Sequence, residues 1–273
     1  MHMSSASNKY ITNEEAVPII RSDIFSGHED NRFAIGVLDK NDVLSYAPGT
    51  MAQAYLKLRA NVYVDQTGML DHSVKRPDGT ELDEDDERSI HFVSLENRMG
   101  GVAVFSCMRF ILKDTIDGQP LPIEQFFPEV FIEPAPVNSI EVSRFIVRHD
   151  NIKQSMIAKK KMITTGLAYV ADNNLGPIFG VVEPSFERDI NFMKLPNHRI
   201  ALPKLVHEYN DYNLGIEIDR VGAINRMGEV AIRNMILSSG EFKYWGKVVN
   251  GSDKELEQNY GQATLSTQLW ILE

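Results

Sequence analysis

Two hydrophobic rhythms divide the chain, short apolar runs and apolar faces spaced by three, four and seven residues. A run at 32–38 predicts a first strand, closed by the polar residues Asp39, Lys40, Asn41 and Asp42. Met51, Ala54, Tyr55, Leu58 and Val62 then share one helical face, with Thr50 as its N-cap. Residues 65–88 are irregular, broken by Gly68, Pro77 and Gly79. Strands at 89–95 and 101–111 follow, and the intervening Asn97, Gly100 and Gly101 suggest a hairpin. Residues 120–128 read as a loop or short helix, and 139–147 as a buried strand. Asn151 caps a helix with Ile152, Met156, Ile163, Leu167 and Val170 inward and Lys159, Lys160 and Lys161 outward. After Gly176 and Pro177 come a strand at 178–182, a helix opened by Pro184, and a strand at 216–221. A helix at 228–237 and an aromatic tail complete the pattern. Strands alternating with helices around a hairpin predict an α/β fold on a mixed sheet. The simplest division is an N-terminal arm over 1–30, partly ordered, one domain over 31–221, and a C-terminal extension over 222–273 packed on it.

The strand at 139–147 holds two charges, Glu141 and Arg144, among Ile140, Val142, Phe145, Ile146 and Val147. Burying either unpaired is costly, so each needs a partner or a ligand. An internal ion pair is the plainer reading. Residues three apart in a regular strand face opposite sides of the sheet, so one site can use both only if the strand bulges or splays.

Composition narrows the class. The 273 residues carry a net charge of −10, which argues against general nucleic-acid binding. No apolar run reaches the ~20 residues of a membrane helix and the N-terminus lacks a signal-peptide core, so a cytoplasmic protein is expected. The single cysteine, Cys107, excludes an internal disulfide and sits in an apolar strand as a core residue. Asp78, Glu81, Asp83, Glu84, Asp85, Asp86 and Glu87 would repel one another in so short a stretch unless some meet cations. The spacing is not that of a calcium loop, and no metal site is expected.

Taken in order, several features resemble the acyl-homoserine-lactone synthase (autoinducer synthase) family. Arg59 and Tyr63 match an arginine and an aromatic in a helix-to-loop segment. Glu81, Asp83 and Asp86 match a Glu-x-Asp-x-x-Asp motif, and Arg109 a strand-end arginine. Glu141, Ser143, Arg144 and Phe145 match Glu-x-Ser-Arg-Phe, and Phe126 and Phe127 fall where the family has a phenylalanine in its acyl region. The resemblance covers roughly residues 50 to 195. Met69 stands beside Gly68 where the family has tryptophan.

The resemblance implies a GNAT-like mixed, splayed β-sheet flanked by helices, whose cleft takes an acyl-phosphopantetheine thioester. It implies acyl transfer from an acyl carrier protein, or from acyl-CoA, to the α-amine of S-adenosylmethionine, with no tightly bound cofactor. Lactone closure and release of methylthioadenosine would follow. The implied catalytic positions are Glu141, Arg109 and Arg144; the substrate-binding positions are Arg59, Tyr63, Asp83, Asp86, Ser143, Phe145, Phe126 and Phe127. Related N-acyl amino acid synthases use another amine, and that acceptor stays open, as does a non-catalytic module that binds acyl ligands on the same fold.

The residue types suit acyl transfer. An amine attacks only when neutral, and a carboxylate in a dry cleft can take its proton, a role that fits Glu141. Arg109 and Arg144 could clamp Asp83 or Asp86, or Arg144 could grip a substrate carboxylate or phosphate. Phe105 and Met108 join Phe126 and Phe127 as candidates for an acyl tunnel. Lys159, Lys160 and Lys161 form a solvated helix face that could also steer an acidic carrier protein.

Overall fold

A computed structural model describes residues 33–226 apart from 99–100, 114–117 and 150. The expected arm over 1–30, the helix at 228–237 and the aromatic tail lie outside the described residues. Strand β1 (Phe33–Leu38) ends at Asp39. The polar stretch after it is a short helix, α1 (Lys40–Leu44), because the Asp39 side chain accepts the Asn41 amide and caps it. Helix α2 (Met51–Ala60) starts where Thr50 accepts the Gln53 amide and passes directly into a π-helical stretch, Asn61–Gln66. Strands β2 (Ser89–Arg98) and β3 (Gly101–Leu112) pair antiparallel. Helix α3 (Pro122–Phe126) is a single turn with proline in its first position.

Then come β4 (Ile140–Val147), α4 (Ile152–Asp172), β5 (Ile178–Val182) and α5 (Pro184–Phe192). The last strands are β6 (Asn197–Arg199), β7 (Lys204–Val206) and β8 (Asp211–Ile218). The final strand is earlier than its apolar pattern predicts. Asp219 accepts the Gly222 amide at 3.1 Å and turns the backbone into a helix from Arg220.

The eight strands form one sheet in the order β1-β2-β3-β4-β5-β8-β6, with β7 beside β8. Every pairing is antiparallel except β4 with β5, the junction that α4 spans. This is the mixed α/β sheet flanked by helices that the sequence predicts.

Alternation sets the two faces. Phe92, Met108, Phe110, Ile140, Ile178 and Ile216 pack with Met162, Leu167 and Val170 of α4 and Ile190 of α5. Their neighbours Val93, Cys107 and Ile146 pack on Tyr55, Leu56 and Leu58 of α2. Farther along the same face, Ile111 and Phe179 meet Leu121, Ile123 and Phe127 around α3. Helix α4 lies close to the sheet because Gly166 has no side chain; a Cβ there would stand 2.6 Å from the Met108 methyl. Ile152, expected inward, is 82% exposed in the first turn of α4, and full burial begins at Ala158.

Candidate active site

The register of β3 on β4 changes by one residue. Arg109 faces Ser143 and Cys107 faces Ile146, so Arg144 and Phe145 together oppose Met108. This bulge re-aims the strand. Arg144 adopts φ 51°, in the left-handed region that a bulky side chain rarely visits. Its guanidinium thereby reaches the acidic loop on the α2 side of the sheet. Phe145 turns to the other side, where it meets Phe186 of α5 edge-on at 5.4 Å. Glu141, adjacent in β4 to Ile140 of the α4 face, points to the α3 side, so Glu141 and Arg144 share a face.

Glu141 is not part of an ion pair among the described residues. It is 1% exposed, and its Oε2 accepts the Ile123 amide at 2.7 Å. Burial pushes its carboxyl up to about 8, although the Ile123 N–H opposes the rise.

Arg144 instead belongs to a network of three arginines and three carboxylates. Arg59 contacts Glu81 at 2.5 Å and Asp86 through two bonds at 2.6 and 3.0 Å. Arg109 binds Asp83 at 2.5 Å and Asp86 at 2.8 Å. Arg144 binds Glu81 at 3.0 Å and Asp83 at 2.8 Å. The formal charges cancel. Burial alone would raise the Asp86 carboxyl, but Arg59 and Arg109 outweigh it and hold the group well below the usual carboxylate range. Against the same opposing effect, Arg144 and Arg59 bring Glu81 down to about 2. The Asp86 side chain also accepts the Asp83 amide at 2.8 Å, which closes the loop as a 3-10 turn, Glu84–Arg88.

Behind the network lie residues that the sequence does not single out. Tyr55, one turn before Arg59 on α2, accepts its guanidinium at 3.0 Å and donates to His91 Nδ1 at 3.0 Å. Burial lowers His91 to about 4, so it is neutral and donates from Nε2 to the Asp86 carbonyl at 3.2 Å. Glu124 accepts the Leu121 and Ala135 amides and Lys113, and so fixes the turn that offers the Ile123 amide to Glu141.

Strands β4 and β5 pair only over Ile140, Glu141 and Val142, then diverge. A cleft of about 560 Å³ opens between them. Glu141, Ser143, Arg144 and Phe145 line one wall, Val181, Val182 and Phe186 the other, and Tyr63, Met69 and Tyr209 close one side. The π-helical stretch after α2 brings Tyr63 here, with Arg144 5.3 Å above its ring.

The expected acyl-tunnel aromatics are not in the cleft wall. Phe127 is fully buried around α3, and Phe126 stands behind Tyr209, edge-on at 5.2 Å. Phe105 packs on Ala158, and Met108 lies under α4. Of the three lysines, only Lys160 is fully outward; Lys159 and Lys161 are half-buried, and Lys159 binds Asp189 at 2.8 Å. Arg148 and Arg188 are exposed at the cleft, and neither stands out by pattern in the sequence.

The autoinducer synthase family model matches residues 47–221, from the approach to α2 through the end of the sheet. The chain belongs to that family. No curated protein sequence matches it. Among solved structures, this synthase is similar to the CoA-dependent acyl-homoserine lactone synthase BjaI, described with SAM and isopentyl-CoA. They share 18% identity at a TM-score of 0.54, over 72% of this chain and 89% of BjaI. It also resembles the AHL synthase LasI, at 19% identity and a TM-score of 0.52 over 77% of this chain and 95% of LasI. FeeM, an N-acyl amino acid synthase from uncultured soil microbes, shares 14% identity at a TM-score of 0.50, over 74% of this chain and 96% of FeeM. At such identities the common feature is the fold, and the family rests on the sequence model. Among the described residues, no helix is long and apolar enough to cross a membrane.

Proposed function

We propose that this autoinducer synthase moves an acyl group from a carrier-protein or CoA thioester to the α-amine of S-adenosylmethionine. The acylated product then closes to a homoserine lactone. The observation that carries the reading is Glu141, a buried carboxyl with no ion pair among the described residues, in the wall of a cleft that opens where two central strands part. Its pKa of about 8 meets an α-amine pKa near 7.7–8.0, the match a proton acceptor needs. As the amine nitrogen bonds to the thioester carbon, Glu141 takes its proton, the C–S bond breaks, and the thiolate recovers a proton on leaving. In the second step the acceptor's carboxylate oxygen attacks its own γ-carbon, and methylthioadenosine departs.

Arg59, Arg109 and Arg144 act as positioning residues, since Glu81, Asp83 and Asp86 already take up their charges. Met69 faces the acceptor, while Tyr63, Ser143 and Phe145 border the thioester arm. Lys160 and Arg148 steer an acidic carrier protein to the mouth. Support for the substrate pair comes from BjaI, which was described with SAM and isopentyl-CoA. Met69, a cleft residue where the family has tryptophan, favours a second reading with another α-amine as acceptor.

Incubating the purified protein with acyl thioesters and candidate amines, and following free thiol and product mass, tests both readings. An acyl-homoserine lactone with methylthioadenosine is the expected outcome. An N-acyl amino acid would move the acceptor, and tight acyl binding without thiol release would favour a non-catalytic module.

A further inference from the structure

Two phenol rings enter the cleft from different parts of the chain. Tyr63 comes from the π-helical stretch after α2, and Tyr209 from the 3-10 turn His207–Tyr209 that precedes β8. Both line the cleft with Glu141 and Arg144. Their rings are held: Tyr63 lies beneath the Arg144 guanidinium at 5.3 Å, and Tyr209 packs edge-on against Phe126 at 5.2 Å. Their hydroxyls have no hydrogen-bond partner among the described residues, whereas Tyr55, the fully buried tyrosine of the site, satisfies its own through Arg59 and His91. Both residues are half-buried at the cleft, so their hydroxyls are open to the cleft and free to meet a ligand oxygen there.

The electrostatics say which oxygen. Burial raises both phenols, Tyr209 up to about 12, and each lies within the field of Arg144; Tyr209 also feels Glu141. Tyr63 in turn feels Tyr209, and both line the same cleft. Both are neutral donors at pH 7. A ligand carboxylate beside these phenols would meet Glu141, while the neighbouring Arg144 is already bound by Glu81 and Asp83. Neutral donors suit an oxygen that gains charge only in the course of reaction.

We propose that the hydroxyls of Tyr63 and Tyr209 together hold the carbonyl oxygen of the acyl thioester while the amine adds to it. This rests on the acyl-transfer reading above. The nitrogen–carbon bond forms, the carbonyl π pair moves onto the oxygen between the two phenols, and the C–S bond breaks as that pair returns. The phenol protons stay on their oxygens, and the proton of the amine goes to Glu141. The hydroxyls have no signal in sequence: Tyr209 lies outside every motif, and Tyr63 matches only as an aromatic.

The test compares two unreactive analogues, presented on CoA and on a carrier protein. One is a ketone with CH₂ in place of sulfur, which keeps the carbonyl; the other is a thioether without the carbonyl oxygen. The native protein is expected to bind the ketone about three- to tenfold more tightly, the range of one or two neutral hydrogen bonds. In Tyr209→Phe and Tyr63→Phe, which keep the rings, that preference should fall towards one. A native protein without the preference, or a preference that survives in both variants, overturns the proposal. In turnover, each variant should lower kcat by about 10²–10³-fold with the KM of the amine unchanged. A raised amine KM with kcat intact would assign the hydroxyls to the acceptor and also overturn it. If the native protein releases no thiol with any amine yet prefers the ketone, the acyl-transfer reading fails and the carbonyl contact stands.

Discussion

Glu141 has a carboxyl whose one identified contact is a backbone amide, so replacing it by glutamine strands no cation. Glu141→Gln should therefore fold normally, while turnover falls by about 10²–10⁴ at neutral pH, to be read from thiol release per folded molecule. Part of the loss should return as pH rises and the amine sheds its proton unaided. Stability should move the other way from an ordinary carboxylate. Its pKa is raised from the usual 4.5 to about 8, so the stabilisation it gives is complete below pH 4.5 and is lost as pH climbs through 8. Glutamine does not titrate, so the variant should gain on the native protein by up to about 1.4 kcal/mol per pH unit across that window, measurable by denaturant unfolding at pH 5 and pH 8. The sequence marked Glu141 and Arg144 as charges in an apolar strand. It could not say whether they pair, because the answer lies in the Ile123 amide and in carboxylates some sixty residues upstream of Arg144.

The β4 bulge works at the scale of the element. Alternation alone assigns Arg144 to the wrong face, and one inserted residue corrects it. The left-handed Arg144 is strained and is held there by its ion pairs with Glu81 and Asp83. Breaking the network from one side should be costly. Arg59→Ala leaves Glu81 and Asp86 buried with less compensation and should lower stability by about 3–5 kcal/mol, seen as a drop in melting temperature. Acid should have the same effect. With their pKa values depressed, Glu81 and Asp86 give a contribution that is complete above about pH 4.5 and lost as pH falls towards 2. Helix α4 offers a separate check, because Gly166→Ala drives a methyl into Met108 and Phe110 and should cost about 1–3 kcal/mol. Strands β1 to β5, α2 and α4 were legible from periodicity, since each buries a regular face, whereas the three-residue β6 and β7 are too short to show one. The α1 turn was missed, the end of β8 was misplaced, and the tunnel aromatics lie behind the cleft wall. Caps at Asp39 and Asp219 decided the first two, and for the aromatics a run of apolar residues does not distinguish a cleft wall from the core behind it.

Over the whole molecule, the proposed use of a carrier-protein donor would require this acidic chain to draw in an acidic partner through local charge. Lys160→Glu should raise KM for a carrier-protein thioester at low salt, leave kcat at saturation nearly intact, and lose most of its effect at 1 M salt, where the Debye length is about 3 Å. A salt-independent change would return Lys160 to an ordinary solvated face. The sheet itself divides into two blocks joined by three residue pairs between β4 and β5, and that junction borders the cleft. Cys107 sits beside the bulge, fully buried, its thiol pushed up to about 12 by burial and directed at the Arg144 carbonyl at 3.4 Å. It is the chain's one thiol. A modifying reagent can therefore reach sulfur only when the strands around Arg144 come apart, which makes the speed of alkylation a clock for that opening, built into the native sequence and free of any attached probe.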